Sequence, residues 1–225
     1  MTATIAPPVL KNAPYIWVTW LAPLLTGSSH CQWAAWFQSN YKFVKETDDS
    51  FLANWTANHE ALLQDRADYL EEQGYEVFLE GANSFQIKGS DGRTLISGKA
   101  DIVAIKGDEV IVEDCKTGRK KDSDPAQVLL YMLLLPAPGG PVHCRKKKMS
   151  GRLVYQDEIF DIENDALDSE FKDNFRNLVH RISAKEPARK APSLAECIFC
   201  KVSALYCAER QNTPNTSEDE EHDLF

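Results

Sequence analysis

Between residues 75 and 115 the chain alternates apolar and polar positions in short bursts, while on both sides the apolar positions recur every three or four residues. The bursts at 75–80, 84–88, 94–105 and 109–115 read as strands, because alternation sends every second side chain to the same sheet face. Ser90-Asp91-Gly92 and Gly107-Asp108 supply turns between them. Upstream, Trp33, Trp36, Phe37, Tyr41 and Val44 mark an amphipathic helix over 32–45. A second helix is expected from an Asp49-Ser50 cap to Gly74, with Leu52, Trp55, Leu62, Leu63 and Leu70 on its apolar stripe and His59 among them. Downstream, Asp124 as cap and Pro125 at the first position open a helix that runs to Leu135, before a Pro/Gly loop at 136–141. Strands at 152–155 and 158–162 and a long amphipathic helix at 165–184 follow. This order of elements indicates one α/β or α+β domain.

The hairpin at Gly107-Asp108 carries the most chemistry. With Gly at the first central position of a two-residue type II′ turn, Lys106 faces Glu109, and the register then sets Asp101 directly opposite Asp114. Their Cβ atoms would lie about 4.5–5.5 Å apart. Alternation puts Val103, Ile105, Val110, Val112 and Lys116 on the face of these carboxylates and turns Glu113 to the other, where its replacement by Ala is expected to be nearly silent. Two carboxylates facing each other among Val and Ile repel, and burial raises the cost. A hard divalent cation, Mg²⁺ or Mn²⁺, removes both penalties and can acidify a bound water for attack on a phosphodiester. Lys116 adds a cation able to touch that water or the scissile phosphate. The bland alternative, a solvated strand face whose acids happen to pair, suits the apolar neighbours poorly.

Gly98-Lys-Ala-Asp101 followed by Asp114-Cys-Lys116-Thr-Gly118 resembles the GxxD…DxKTG pattern of RecB-type PD-(D/E)XK nucleases, and Gln127-Val-Leu-Leu-Tyr131 resembles their QxxxY motif. Gln127 and Tyr131 share one face of their helix. The resemblance implies a restriction-endonuclease-like fold with a mixed central sheet flanked by helices. It also implies a metal held by His59, Asp101, Asp114 and the backbone carbonyl of Cys115, with Gln127 and Tyr131 positioning DNA. A lone His on an apolar stripe has the plainer reading of a satisfied core residue.

Charge modifies this picture less than it first suggests. The formal net charge is −9, yet Glu218, Asp219, Glu220, Glu221 and Asp223 in the tail carry more than half of that excess. Basic runs at Arg119-Lys120-Lys121 and Arg145-Lys146-Lys147-Lys148 permit a DNA partner, although such runs are commonly solvated surface. The first residues lack the pattern of a signal peptide, and the apolar stretch 15–25 is about half the length of a membrane span. A cytoplasmic protein with no membrane partner is the expectation.

In a reducing compartment six cysteines are metal ligands or inert thiols rather than disulfides. Cys197-Ile-Phe-Cys200 and Cys207 form a compact trio, and Cys31 lies far away in sequence. This one-plus-three arrangement is similar to the iron–sulfur nucleases, the CRISPR-associated RecB-like exonucleases and the AddB nuclease domain. There four thiolates hold a 4Fe–4S cluster that joins the two chain ends. Four thiolates suit structural Zn²⁺ as well. Cys115 and Cys144 are expected to be inert.

The resemblance covers roughly residues 15–207. It implies a nuclease domain over 1–210, with a disordered acidic tail at 211–225. The expected function is a metal-dependent exonuclease on single-stranded DNA ends, in DNA processing, repair or CRISPR adaptation. A competing class is a DNA-end-binding subunit of a larger recombination or integration complex, and a weaker one a zinc-stapled RNA-processing protein. The tail ends in Leu224-Phe225, an apolar pair that could dock on a protein partner or lie in the basic groove.

Overall fold

The computed structural model describes residues 6–46 and 52–211, the side chains of 52–56 excepted. The acidic tail and the Asp49-Ser50 cap therefore lie outside the described residues. In chain order, β1 (Val9–Leu10), β2 (Tyr15–Trp17), α1 (Val18–Leu25), α2 (Gln32–Asn40) and β3 (Tyr41–Lys42) precede the long α3 (Leu52–Glu72). Four strands follow: β4 (Glu76–Leu79), β5 (Ser84–Lys88), β6 (Leu95–Lys99) and β7 (Ile102–Lys106). Next come β8 (Glu109–Lys116), α4 (Asp124–Leu134), β9 (Ser150–Tyr155), β10 (Ile159–Ile162), α5 (Ser169–Ser183) and the short α6 (Leu194–Ile198).

The expected helix over 32–45 stops at Asn40. There the Asn40 side-chain amide donates to the carbonyls of Trp36 at 2.9 Å and Ile182 at 3.1 Å, and Tyr41 turns extended to pair with Leu10. The larger departure concerns 94–105, expected as one strand. It is two, and they belong to different sheets. β6 lies between β2 and β5 in a three-stranded sheet, whereas β7 joins a five-stranded sheet ordered β10-β9-β8-β7-β4. The break falls at Ala100-Asp101, where the Asp101 side chain accepts the Cys115 N–H at 2.7 Å and its carbonyl accepts the Glu80 N–H at 2.9 Å. A side chain thus takes over the backbone donor that a continuing ladder would have used.

The five-stranded sheet is mixed: β8 and β9 run parallel, and its other pairs run antiparallel. Parallel neighbours need a crossover, and α4 supplies it. Gly151 on β9 makes room for that helix, since a Cβ there would stand 2.3 Å from Val128 Cγ1 and 2.7 Å from Met132 Sδ. Val103, Val110 and Val112 pack into the large core on this side with Val128, Leu130 and Met132. On the opposite face Ile102, Ala104, Cys115 and Val154 meet Leu63 and Leu70 of α3. Mixed sheets flanked by helices agree with a restriction-endonuclease-like fold. Among the described residues no helix is long and apolar enough to cross a membrane.

Glu113 has a structural role beyond its expected silence in cleavage. It faces α3, as alternation requires, but it is fully buried. Arg66 grips it with two hydrogen bonds of 2.6 and 2.8 Å, and Arg152 adds a third at 3.2 Å.

Candidate active site

The hairpin register is the expected one from Lys106–Glu109 to Ile102–Glu113; the ladder stops there, and Asp101 stands just beyond it, tied to β8 through the Cys115 N–H. Gly107 has φ +61°, the conformation demanded at the first central position of the turn. Both carboxylates are largely or wholly buried, Asp114 at 1% exposure. Burial, reinforced by the charge of Asp101 and opposed by Lys116, pushes the Asp114 carboxyl up to about 7. Its Oδ2 forms an ion pair with Lys116 Nζ at 2.6 Å. His59 approaches from α3, with Nε2 at 3.4 Å from Asp101 Oδ2. The hydrogen bond to Asp101, partly offset by burial, holds that imidazole above its ordinary pKa.

Lys116 stays a cation: burial favours its neutral form, but Asp114 and Asp101 outweigh this and hold its pKa above the usual lysine value. Gln127 fixes the ammonium. Its Oε1 accepts from Lys116 Nζ at 3.3 Å while its Nε2 donates to Asp114 Oδ1 at 2.9 Å. The same amide reaches Tyr131 at 3.3 Å, and the Tyr131 hydroxyl donates to the Lys99 carbonyl at 2.9 Å. One face of α4 therefore ties Asp114 and Lys116 to the end of β6. The Cys115 thiol turns away into the α3 core, where burial raises its pKa far beyond reactivity.

Two further residues escape sequence reasoning. Asp124, expected to cap α4, instead accepts the Lys121 N–H at 2.9 Å and the Tyr155 hydroxyl at 2.7 Å. It closes the base of the loop that carries Arg119-Lys120-Lys121, and a β9 tyrosine separated by a whole helix gave no local signal of it. Glu80 sits at the rim in an ion pair with Lys99 at 3.0 Å. Of the two basic runs, Arg119–Lys121 lines the cleft above the carboxylates and Arg145–Lys148 does not.

That cleft, about 1260 Å³, extends from Asp101, Asp114 and Lys116 to Cys31, Cys197 and Cys200. The cysteine segment is drawn against the N-terminal region by Glu196. Its carboxylate accepts from Ser29 Oγ at 2.7 Å, the His30 N–H at 2.9 Å and the Cys31 N–H at 3.2 Å. Burial pushes the Glu196 carboxyl up, and the hydrogen bonds from His30, Ser29 and Cys31 overcome it, leaving the pKa below the usual range. Cys31, Cys197 and Cys200 line the same cleft, Cys207 is buried seven residues further on, and all four are free thiols. Among the described residues no three His, Cys, Asp or Glu side chains form a ready-made metal cage.

No curated protein matches the chain. Among solved structures, the crystal structure of SSO0001 is similar at 18% identity and a TM-score of 0.49, over 91% of this chain and 90% of that one. The PD-(D/E)XK nuclease superfamily model matches residues 28–207, a span that takes in the hairpin carboxylates, Lys116, the α4 amide and these four cysteines, and the chain belongs to that superfamily.

Proposed function

We propose that this chain is a divalent-metal-dependent deoxyribonuclease of the RecB-like type, an exonuclease that hydrolyses phosphodiester bonds at single-stranded DNA ends. The observation that carries the reading is the buried Asp101–Asp114 pair with Lys116 held beside it. Burial and the charge of Asp101 raise the Asp114 carboxyl even with Lys116 at 2.6 Å, and a hard cation would relieve that cost. Mg²⁺ is commonly held by one or two carboxylates together with waters and substrate phosphates, so the lack of a complete side-chain cage suits it. Asp101, Asp114, His59 and the Cys115 carbonyl would hold Mg²⁺ or Mn²⁺. Once bound, such an ion acidifies a water and offsets charge on the phosphate.

The rest falls to the chain's own groups. Lys116 offers a fixed positive charge to the attacked phosphate and needs no reorganisation to do so, because Gln127 already orients it. Asp114 shares Gln127 with Lys116, which fixes the two side chains relative to each other. Arg119 and Lys121 on the cleft wall attract the phosphate backbone.

By their chemistry Cys31, Cys197, Cys200 and Cys207 would hold a 4Fe–4S cluster, with structural Zn²⁺ as the other occupant, and binding either would have to draw thiols together that form no cage among the described residues. Either would staple the two ends of the domain. DNA processing, repair and CRISPR adaptation are the settings in which such an activity is expected.

End-labelled single- and double-stranded DNA incubated with Mg²⁺ or Mn²⁺ tests the reading. Shortening of single strands from an end, abolished by chelation and by Asp101→Ala, is the expected result. Intact substrate under all metal conditions would overturn it. Protein purified without oxygen should be brown and contain iron, and a colourless protein with one zinc per chain would replace the cluster with the structural ion.

A further inference from the structure

Phe199 is out of place for a fold residue. Its ring is 84% exposed, the most open of the large apolar side chains on the described surface, yet it stands on a tightly held segment. The Cys197 N–H donates to the Ser193 carbonyl at 2.8 Å, the Cys200 N–H to the Cys197 carbonyl at 3.2 Å, and Arg210 to the Cys200 carbonyl at 2.8 Å. An apolar ring standing in water on a backbone so anchored contributes nothing to the core. It lines the same cleft as Asp101 and Asp114, as does the half-buried Trp20. Lys201 beside it and Arg119 and Lys121 on the basic loop line that cleft too. Aromatic rings and cations lining one groove match the chemistry of a strand whose phosphates want positive charge and whose bases want a flat apolar partner.

Resting on the nuclease reading above, we propose that Phe199 is a stacking platform for an unpaired base of single-stranded DNA, holding the strand at the far end of the cleft from the carboxylate pair. A duplex cannot use such a platform, because its bases are already stacked on one another. The platform would therefore select single strands. Its place between Cys197 and Cys200 also links strand binding to the integrity of the cysteine seam.

The test is oligonucleotide binding by the full chain in EDTA, so that no cleavage intervenes. Phe199→Ala should bind a single-stranded oligonucleotide about tenfold more weakly than wild type, on the scale of one base–aromatic stack, and Phe199→Trp should retain affinity. Placing a single abasic site at successive positions should reveal one position that weakens the wild type and leaves Phe199→Ala unaffected. Affinity for blunt duplex should be equal in both proteins. Unchanged single-strand affinity in Phe199→Ala would overturn the proposal, and so would an abasic penalty that persists in that variant. The nuclease reading fails separately: wild type that binds and never cleaves with Mg²⁺ or Mn²⁺ sinks catalysis and leaves the platform standing. Cleavage by a Phe199→Ala protein of unaltered affinity does the reverse.

Discussion

The two faces of the β7–β8 hairpin bury the same kind of charge and treat it in opposite ways. On the α3 face Glu113 is fully enclosed, and Arg66 and Arg152 satisfy it with three hydrogen bonds. On the other face Asp114 meets Lys116, and with burial around it and Asp101 beside it its pKa is pushed up to about 7. The neighbours Glu113 and Asp114 differ by one step along a strand, and that step decides between a closed structural network and the proposed metal site. Buried charge by itself is therefore no mark of function. What distinguishes the proposed site is a raised carboxyl beside an open cleft.

The strongest way to break this contrast is to remove Asp101 or Lys116. Asp101→Ala should abolish cleavage and Lys116→Ala should cost about 3–4 kcal/mol of transition-state stabilisation, both measured per folded molecule. Asp101→Ala should also lose about 1–3 kcal/mol of stability through the stranded Cys115 N–H. An Asp101→Ala protein with full activity would falsify the assignment. Glu113→Ala should do the reverse. Stranding Arg66 should cost about 3–5 kcal/mol of folding stability in urea titrations, with activity per folded molecule retained. If Glu113→Ala melts like wild type, the closed network is not structural.

Glu196→Ala sharpens the comparison at the cysteine seam. Losing its contacts to Ser29, His30 and Cys31 should cost about 1–3 kcal/mol, and hydrogen exchange should rise in α1 and α2 more than in the hairpin. Cys31→Ser should weaken metal retention as fully as Cys197→Ser. The pH dependence has a definite sign. The Glu196 carboxyl is held below its usual range, so its contribution is complete above the ordinary carboxylate pKa and is lost as pH falls through the lower value. The stability gap between wild type and Glu196→Gln should accordingly narrow in acid. The smallest effect belongs to Gln127→Ala, where about 1 kcal/mol of orientation should be lost from kcat with little change in KM.

The hairpin register was readable because Gly107-Asp108 fixes the turn, and one turn dictates every pairing up to Ile102 and Glu113. The direction of Glu113 was readable for the same reason. Its partners were not. Arg66 lies 47 residues away on a helix whose rotation against the sheet depends on packing, so alternation could give the face but not the environment. The division of 94–105 between two sheets was equally hidden, since both halves are apolar and only the Asp101 side chain interrupts them. The helix over 32–45 ran too long because its apolar period continues through Tyr41, while Asn40 ends it by bonding a carbonyl 142 residues distant. Local pattern thus recovered elements and register, and missed what was decided by contacts across the chain.

The Glu196 clasp spans 167 residues between Ser29 and its partner. A contact of that span cannot form on a ribosome until nearly the whole described chain has emerged, by which time the β7–β8 hairpin has long been outside. Closing so large a loop is entropically slow and is rewarded only after the intervening sheet exists. The order of assembly is therefore built into the connectivity: carboxylates first, cleft wall last. A nascent chain therefore carries its acidic pair well before the seam beside it can close.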